Sequence, residues 1–258
     1  IHIDSENEVV GGYGWMLTTR PDGHSIAAQP DNVRLYALAG ADHGFGGWRP
    51  GFPICRAAVA APVPIVPFLR AAFGLLDDWV RHGKPPPDSR YPTLADGTLV
   101  TVEQARAAWP AIPGYPFNAV RNVAEHWVAE LPLPRSTGRY PLLSWALDGD
   151  GNAAGGIAHP LIAVPTGTMS GTSARRPGHA PEDLCPLAGE YIRFARTREE
   201  RLAAGDPRLS LAERYPGGDD ELVARRRGFA RALAEAGFIL PRDVDAAAGG
   251  SLDEGFLA

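Results

Sequence analysis

Val33-Arg34-Leu35-Tyr36-Ala37-Leu38 alternates apolar residues with polar or small ones, the period of a strand. It runs directly into Ala39-Gly40-Ala41-Asp42-His43-Gly44, a loop of small residues with one histidine. Further on, apolar residues fall at Val66, Leu69, Phe73, Leu76 and Val80, with Phe68, Ala72, Leu75 and Trp79 beside them. Steps of three and four predict an amphipathic helix that buries its Leu69–Phe73–Leu76 face. His82-Gly83-Lys84-Pro85-Pro86-Pro87 ends it, glycine first and prolines after. Loops at strand ends, such as Ala39–Gly44, are where α/β sheets hold their functional groups.

The rest of the chain is more broken. Residues 1–10 read as a short strand, Ile1–Asp4, running into a loop with Asp4, Glu6 and Glu8. Residues 88–139 are irregular and punctuated by proline, with one helical piece near Val102–Trp109. Tyr140–Ala146 and Ile157–Val164 read as a pair of strands joined by the turn Asp148-Gly149-Asp150-Gly151-Asn152. That turn lacks the spacing and the closing glutamate of a calcium loop. Helices are expected over Ala195–Ala204, Ser210–Tyr215 and Asp220–Ala236, the second opened by a Ser210/Glu213 capping box.

Charge narrows the partners. Of the 258 residues, 25 are basic and 30 acidic, a net charge of −5, which argues against a nucleic-acid or anionic-membrane surface. No apolar run approaches the ~20 residues of a membrane helix. Two cysteines, Cys55 and Cys185, cannot make a four-cysteine zinc site; one bridge or two free thiols remain open.

Metal and dinucleotide motifs fail on spacing. None of the seven histidines forms a His-Glu-x-x-His pair, and His126 with Glu130 reads as an ordinary pair on a helix face. Gly12-x-Gly14 and Gly44-x-Gly46 each lack the third glycine of a dinucleotide loop. No metal or cofactor is expected. Nucleophilic catalysis fits better. A hydrolase of the α/β type carries Gly-x-Ser-x-Gly, then an acid after a later strand, then a histidine after the last strand. The last two elements are present in that order: Ser5-Glu6-Asn7-Glu8-Val9 after the first strand, and His43 after the second. The first element is missing. None of the nine serines is flanked by glycines in that pattern, and Gly167-Thr168-Met169-Ser170-Gly171 has its serine one place too late.

Longer blocks carry a family likeness. They are Arg34-Leu35-Tyr36-Ala37-Leu38-Ala39-Gly40-Ala41-Asp42-His43, the run from Asp78-Trp79-Val80 to Arg90-Tyr91-Pro92, and Leu94-Ala95-Asp96-Gly97-Thr98-Leu99-Val100. Val164-Pro165-Thr166-Gly167-Thr168, Phe194-Ala195-Arg196-Thr197-Arg198-Glu199-Glu200-Arg201 and the run from Gly205-Asp206-Pro207-Arg208 to Arg214-Tyr215 follow in order. With these blocks the chain resembles the C-terminal part of large bacterial α/β-hydrolase-domain proteins. The resemblance implies an α/β fold of which residues 1–87 form the C-terminal end, with the last two sheet strands and the helix after them. Residues 88–258 would be a proline-rich mixed extension, with a strand pair and C-terminal helices, packed on that core.

By the same resemblance His43 matches the general base. Glu8 stands where an aspartate is usual as the triad acid, and Glu6 is the runner-up. Tyr13, Trp15, Phe45 and Trp48 are the candidate pocket residues. The implied activity is hydrolysis of a small carboxylic ester by a serine enzyme. The serine and the oxyanion donors would come from an N-terminal half, on a missing segment or a separate chain, and this chain alone would be inactive. The other reading is a non-catalytic binding module derived from the same fold. The chain starts at Ile1 and not at methionine, so an upstream segment is expected; family members often carry an export signal, which favours the periplasm or secretion.

Overall fold

The structure is a computed structural model and describes residues 1–44, 46, 50–129, 133–185 and 187–249. It opens with strand β1 (His2–Ser5), followed at once by helix α1 (Glu6–Gly11). The acidic stretch expected as a loop is therefore helical. Its cause is local: Ser5 and Glu8 form a capping box. The Ser5 hydroxyl accepts from the Glu8 amide at 3.3 Å, and the Glu8 carboxylate accepts from the Ser5 amide, so two otherwise orphaned donors are satisfied. A 3₁₀ turn over Gly14–Leu17 follows.

Strand β2 (Leu35–Ala39) is buried along its whole length, which only a strand covered on both faces achieves. It pairs in parallel with β1, Ser5 opposite Leu38. Helix α2 (Val66–His82) comes next, ended by Gly83 in the left-handed region. Strand β3 (Leu99–Thr101) leads into helix α3 (Val102–Ala108), then come the hairpin β4 (Glu125–Val128) and β5 (Arg135–Arg139), and β6 (Leu143–Trp145). Strand β7 (Ile157–Ala158) runs into the short helix α4 (Pro160–Ala163).

The segments expected to pair across the Asp148–Asn152 turn do not pair as strands with each other. β6 lies antiparallel to β3, while β7 joins the main sheet in parallel beside β2, giving the order β1-β2-β7. Only the single bridge Leu147–Ala153 closes the turn. Its Asp148 carboxylate accepts from the Asp150 and Asn152 amides, at 2.9 Å each, so the acids cap their own backbone. The sheet thus has a third strand, and that strand comes from the proline-rich half.

Strands β8 (Gly167–Ser170) and β11 (Glu190–Arg193) form an antiparallel pair that encloses a smaller one, β9 (Ser173–Ala174) with β10 (Leu184–Cys185). The tail holds α5 (Arg198–Ala204), α6 (Leu211–Arg214), α7 (Gly218–Glu235) and α8 (Val244–Ala247). The Ser210/Glu213 capping box is present. His126 lies on β4 and not on a helix, with its ring against Tyr140; Glu130 lies outside the described residues.

Ile3, Tyr36, Leu38 and Ile157 line one side of the main sheet, where Phe68, Ala72 and Leu75 of α2 and Phe238 meet them. The face of α2 expected to be buried is instead the outer one: Phe73 is 72% exposed and Val80 78%. The helix is apolar on more than one side, so periodicity alone does not say which side meets the sheet. Cys55 and Cys185 form a disulfide, settling the alternatives left open by the sequence and tying the loop after residue 50 to β10.

Candidate active site

Parallel pairing of β1 with β2 puts the ends of both strands at the same edge of the sheet. The polypeptide leaves β1 as helix α1 and leaves β2 as the loop to His43. Two contacts stitch these exits together, and a third ties α1 to the residue after β8. The Gly40 amide donates to the Glu6 carboxylate at 2.8 Å, the Asn7 amide donates to the Ala41 carbonyl at 3.2 Å, and the Asn7 side-chain amide donates to the Gly171 carbonyl at 2.8 Å. Gly40 makes the turn possible, because its φ is +72° and a Cβ there would lie 2.2 Å from Ile162.

On this frame His43 Nδ1 lies 2.6 Å from Glu8 Oε1. The other Glu8 oxygen holds the Ser5 amide, so the capping box that starts α1 also orients the carboxylate toward the imidazole. His43 Nε2 has no partner among the described residues. Both residues line a cavity of about 330 Å³, together with Asn7, Gly11, Gly12, residues 120–122, Arg175 and residues 183–185. An imidazole with one nitrogen on a carboxylate and the other free is arranged to take a proton at Nε2 and to hold the resulting charge.

Glu6 does something else. It is 3% exposed and receives Gly40 N–H and the Ser170 hydroxyl, the latter at 3.2 Å. Burial pushes its carboxyl up to about 7, and those hydrogen bonds oppose the shift only in part. Its contacts join three segments and none is to His43. Ser170, the serine nearest to a nucleophile motif, is thus turned to Glu6 and Thr172.

The pocket aromatics fare differently. Trp15 is 1% exposed and packs edge-on against Tyr140, a core residue. Tyr13 begins the 3₁₀ turn in the left-handed region and packs against the core, away from the cavity lining. Phe45 and Trp48 lie outside the described residues. The cavity walls come instead from Arg121, in the stretch read from sequence as irregular, and from Arg175, Leu184 and Leu187, for which sequence reading offers no secondary structure. Leu184 lies on β10, which pairs with β9 and is tied to Cys55 by the disulfide, long-range contacts that no local pattern announces. Among the described residues no group of three or more His, Cys, Asp or Glu side chains could hold a metal ion.

A strand-end acid and histidine on a parallel sheet are two of the groups that an α/β hydrolase places at such strand ends. A family model described as "Alpha/beta hydrolase domain" matches residues 1–248, and the chain belongs to that family. Membership points to a hydrolase-type function. The match runs through both the β1–α2 segment and the proline-rich remainder. No curated protein and no solved structure shows a significant match to the chain.

Proposed function

We propose that this chain supplies the base, His43, and the acid, Glu8, of a serine hydrolase that cleaves small carboxylic esters. The observation that carries the reading is the 2.6 Å contact between His43 Nδ1 and Glu8 Oε1 at the shared sheet edge, with Nε2 free and the cavity beside it. The nucleophilic serine and the oxyanion donors come from an N-terminal part of the hydrolase, on the same polypeptide or a separate one. The serine attacks the ester carbonyl while Nε2 takes its proton. Glu8 holds the Nδ1–H tautomer and stabilises the imidazolium. The proton then goes to the leaving alkoxide, and water repeats the sequence on the acyl-enzyme. Without its complement the chain is inactive, since His43 has no hydroxyl to deprotonate.

Two features support a complement. β1 pairs only with β2 among the described residues, which leaves its other edge unpaired, and Phe73, Leu76 and Val80 stand exposed on α2. The disulfide supports export, because such bridges persist in oxidising compartments. Fluorophosphonate labelling of the natural gene product, followed by peptide mapping, tests the reading. A labelled serine in a Gly-x-Ser-x-Gly peptide outside this chain supports it. An unlabelled product that folds as this chain alone supports the non-catalytic module instead.

A further inference from the structure

The charged groups around the His43 cavity are not all held in contact pairs. Glu8 is engaged by His43, and Asp183 lies 3.5 Å from Arg175. Arg121 lines the same cavity, with no carboxylate within ion-pair distance among the described residues. One of its amino groups, Nη1, donates to the carbonyls of Asn118 and Val120, at 2.6 and 3.0 Å, and its plane lies over Phe117. Its Nε–H is buried without a partner.

Other enclosed arginines of this protein are neutralised by acids. Arg56 holds Glu190 at 2.6 Å and Arg208 holds Asp206 at 2.6 Å, while Arg214 holds Asp150. Arg226, which also lacks an acid, is sealed at 1% exposure and bonds to Val164 and Thr166. Arg121 differs from all of these in lining the cavity with no acid in hydrogen-bond contact among the described residues. Glu6 acts on it through space, while the Glu6 carboxylate itself accepts from Gly40 N–H and the Ser170 hydroxyl. Desolvation pulls the guanidinium down only to about 10, so it stays charged.

We propose that Arg121 recognises a carboxylate on the substrate, and that the site prefers anionic esters, such as monoesters of short dicarboxylic acids, over neutral ones. The inference rests on the ester-hydrolase reading of His43 and Glu8. A single carboxylate suits the cavity better than a phosphate dianion, because Glu8 and Asp183 stand in the same wall. A charge-assisted hydrogen bond of this kind is worth about 1.5–3 kcal/mol, or roughly 10–100-fold in affinity.

The test uses the natural gene product and compares p-nitrophenyl hydrogen glutarate with p-nitrophenyl butyrate. We expect the glutarate to be preferred, and Arg121→Met to lower the ratio of the two kcat/KM values by 10–100-fold, through KM for the anionic ester. Arg121→Lys should restore part of the ratio. An unchanged ratio, or an equal loss on both esters, would show a structural arginine and overturn the inference. Glutarate binding by calorimetry keeps this separate from the catalytic reading. If neither ester is cleaved, the ester-hydrolase reading fails, yet glutarate binding lost in Arg121→Met still supports carboxylate recognition. No glutarate binding, or binding of inorganic phosphate with equal strength, overturns it.

Discussion

Two glutamates two residues apart face different surroundings, and the proposed roles follow that difference. Glu8 is partly exposed and touches His43; Glu6 is buried and touches only backbone amides and a serine. In the proposed complete hydrolase, His43→Ala should lower kcat by about 10⁴–10⁶-fold and Glu8→Gln should be severely impaired as well. Steady-state kinetics on a p-nitrophenyl ester will check this, and a Glu6→Gln variant worse than Glu8→Gln would reverse the assignment. Glu6 should show itself in stability. Its carboxyl rises from an ordinary 4.5 to about 7 in the folded state, so the fold binds that proton more tightly than the unfolded chain does. The stabilisation is complete below about 4.5 and is lost as pH climbs through about 7, amounting to roughly 3 kcal/mol. Urea unfolding of wild type and Glu6→Gln across that range should therefore give curves that separate with pH; parallel curves would refute the account. The strand-end setting of His43 is readable in sequence, because small neighbours let the backbone turn sharply there. The preference for Glu8 over Glu6 as the proposed acid comes from the family likeness, and the burial that separates the two is a tertiary property that the residue types do not encode.

At the scale of elements, short-range chemistry was the readable part. The α2 terminator, α3 and the three tail helices follow from capping residues and periodicity. The same logic, Ser-x-x-Glu, also marks α1, although three acids close together suggested a loop. What sequence could not supply was pairing. β6 and β7 flank a turn but go to different sheets, because each finds a better partner far along the chain. The walls of the cavity are similarly non-local. Cys185 of β10 lines the cavity and is bonded to Cys55, 130 residues away. Closing a loop of that size removes roughly 5 kcal/mol of unfolded-chain entropy in the simplest treatment. A Cys55→Ser/Cys185→Ser double variant should unfold at markedly lower denaturant and lose activity earlier than it loses helix. Circular dichroism alongside an esterase assay will show the order, and coincident loss would contradict the idea that the bridge holds the cavity wall.

For the whole molecule, the main sheet among the described residues has three parallel strands, with β1 at an edge that no described strand pairs, and α2 has an apolar outer face. The proposed complement should cover both, through an apolar interface well above ~2,000 Å², and bring a serine within hydrogen-bond reach of His43. Residues 1–258 expressed alone should therefore aggregate or recover solubility only with the complement. A monomeric, cooperatively unfolding product would contradict this and favour the stand-alone module. A second titration acts at this scale. His159, buried where β7 meets α4, accepts the Leu161 amide at Nδ1 and is pushed down to about 3 by burial. Its contribution is lost as pH falls from 6.5 toward 3, opposite in sign to Glu6. Together they place greatest stability at mildly acidic pH.

The Ser5–Glu8 capping box has a kinetic corollary. One carboxylate serves both the first turn of α1 and the imidazole, so fraying of that turn and loss of the His43–Glu8 contact are one event. The proposed esterase activity would then act as a fluorimeter for a six-residue helix: any perturbation that unwinds Glu6–Gly11 should silence it while most of the molecule stays folded.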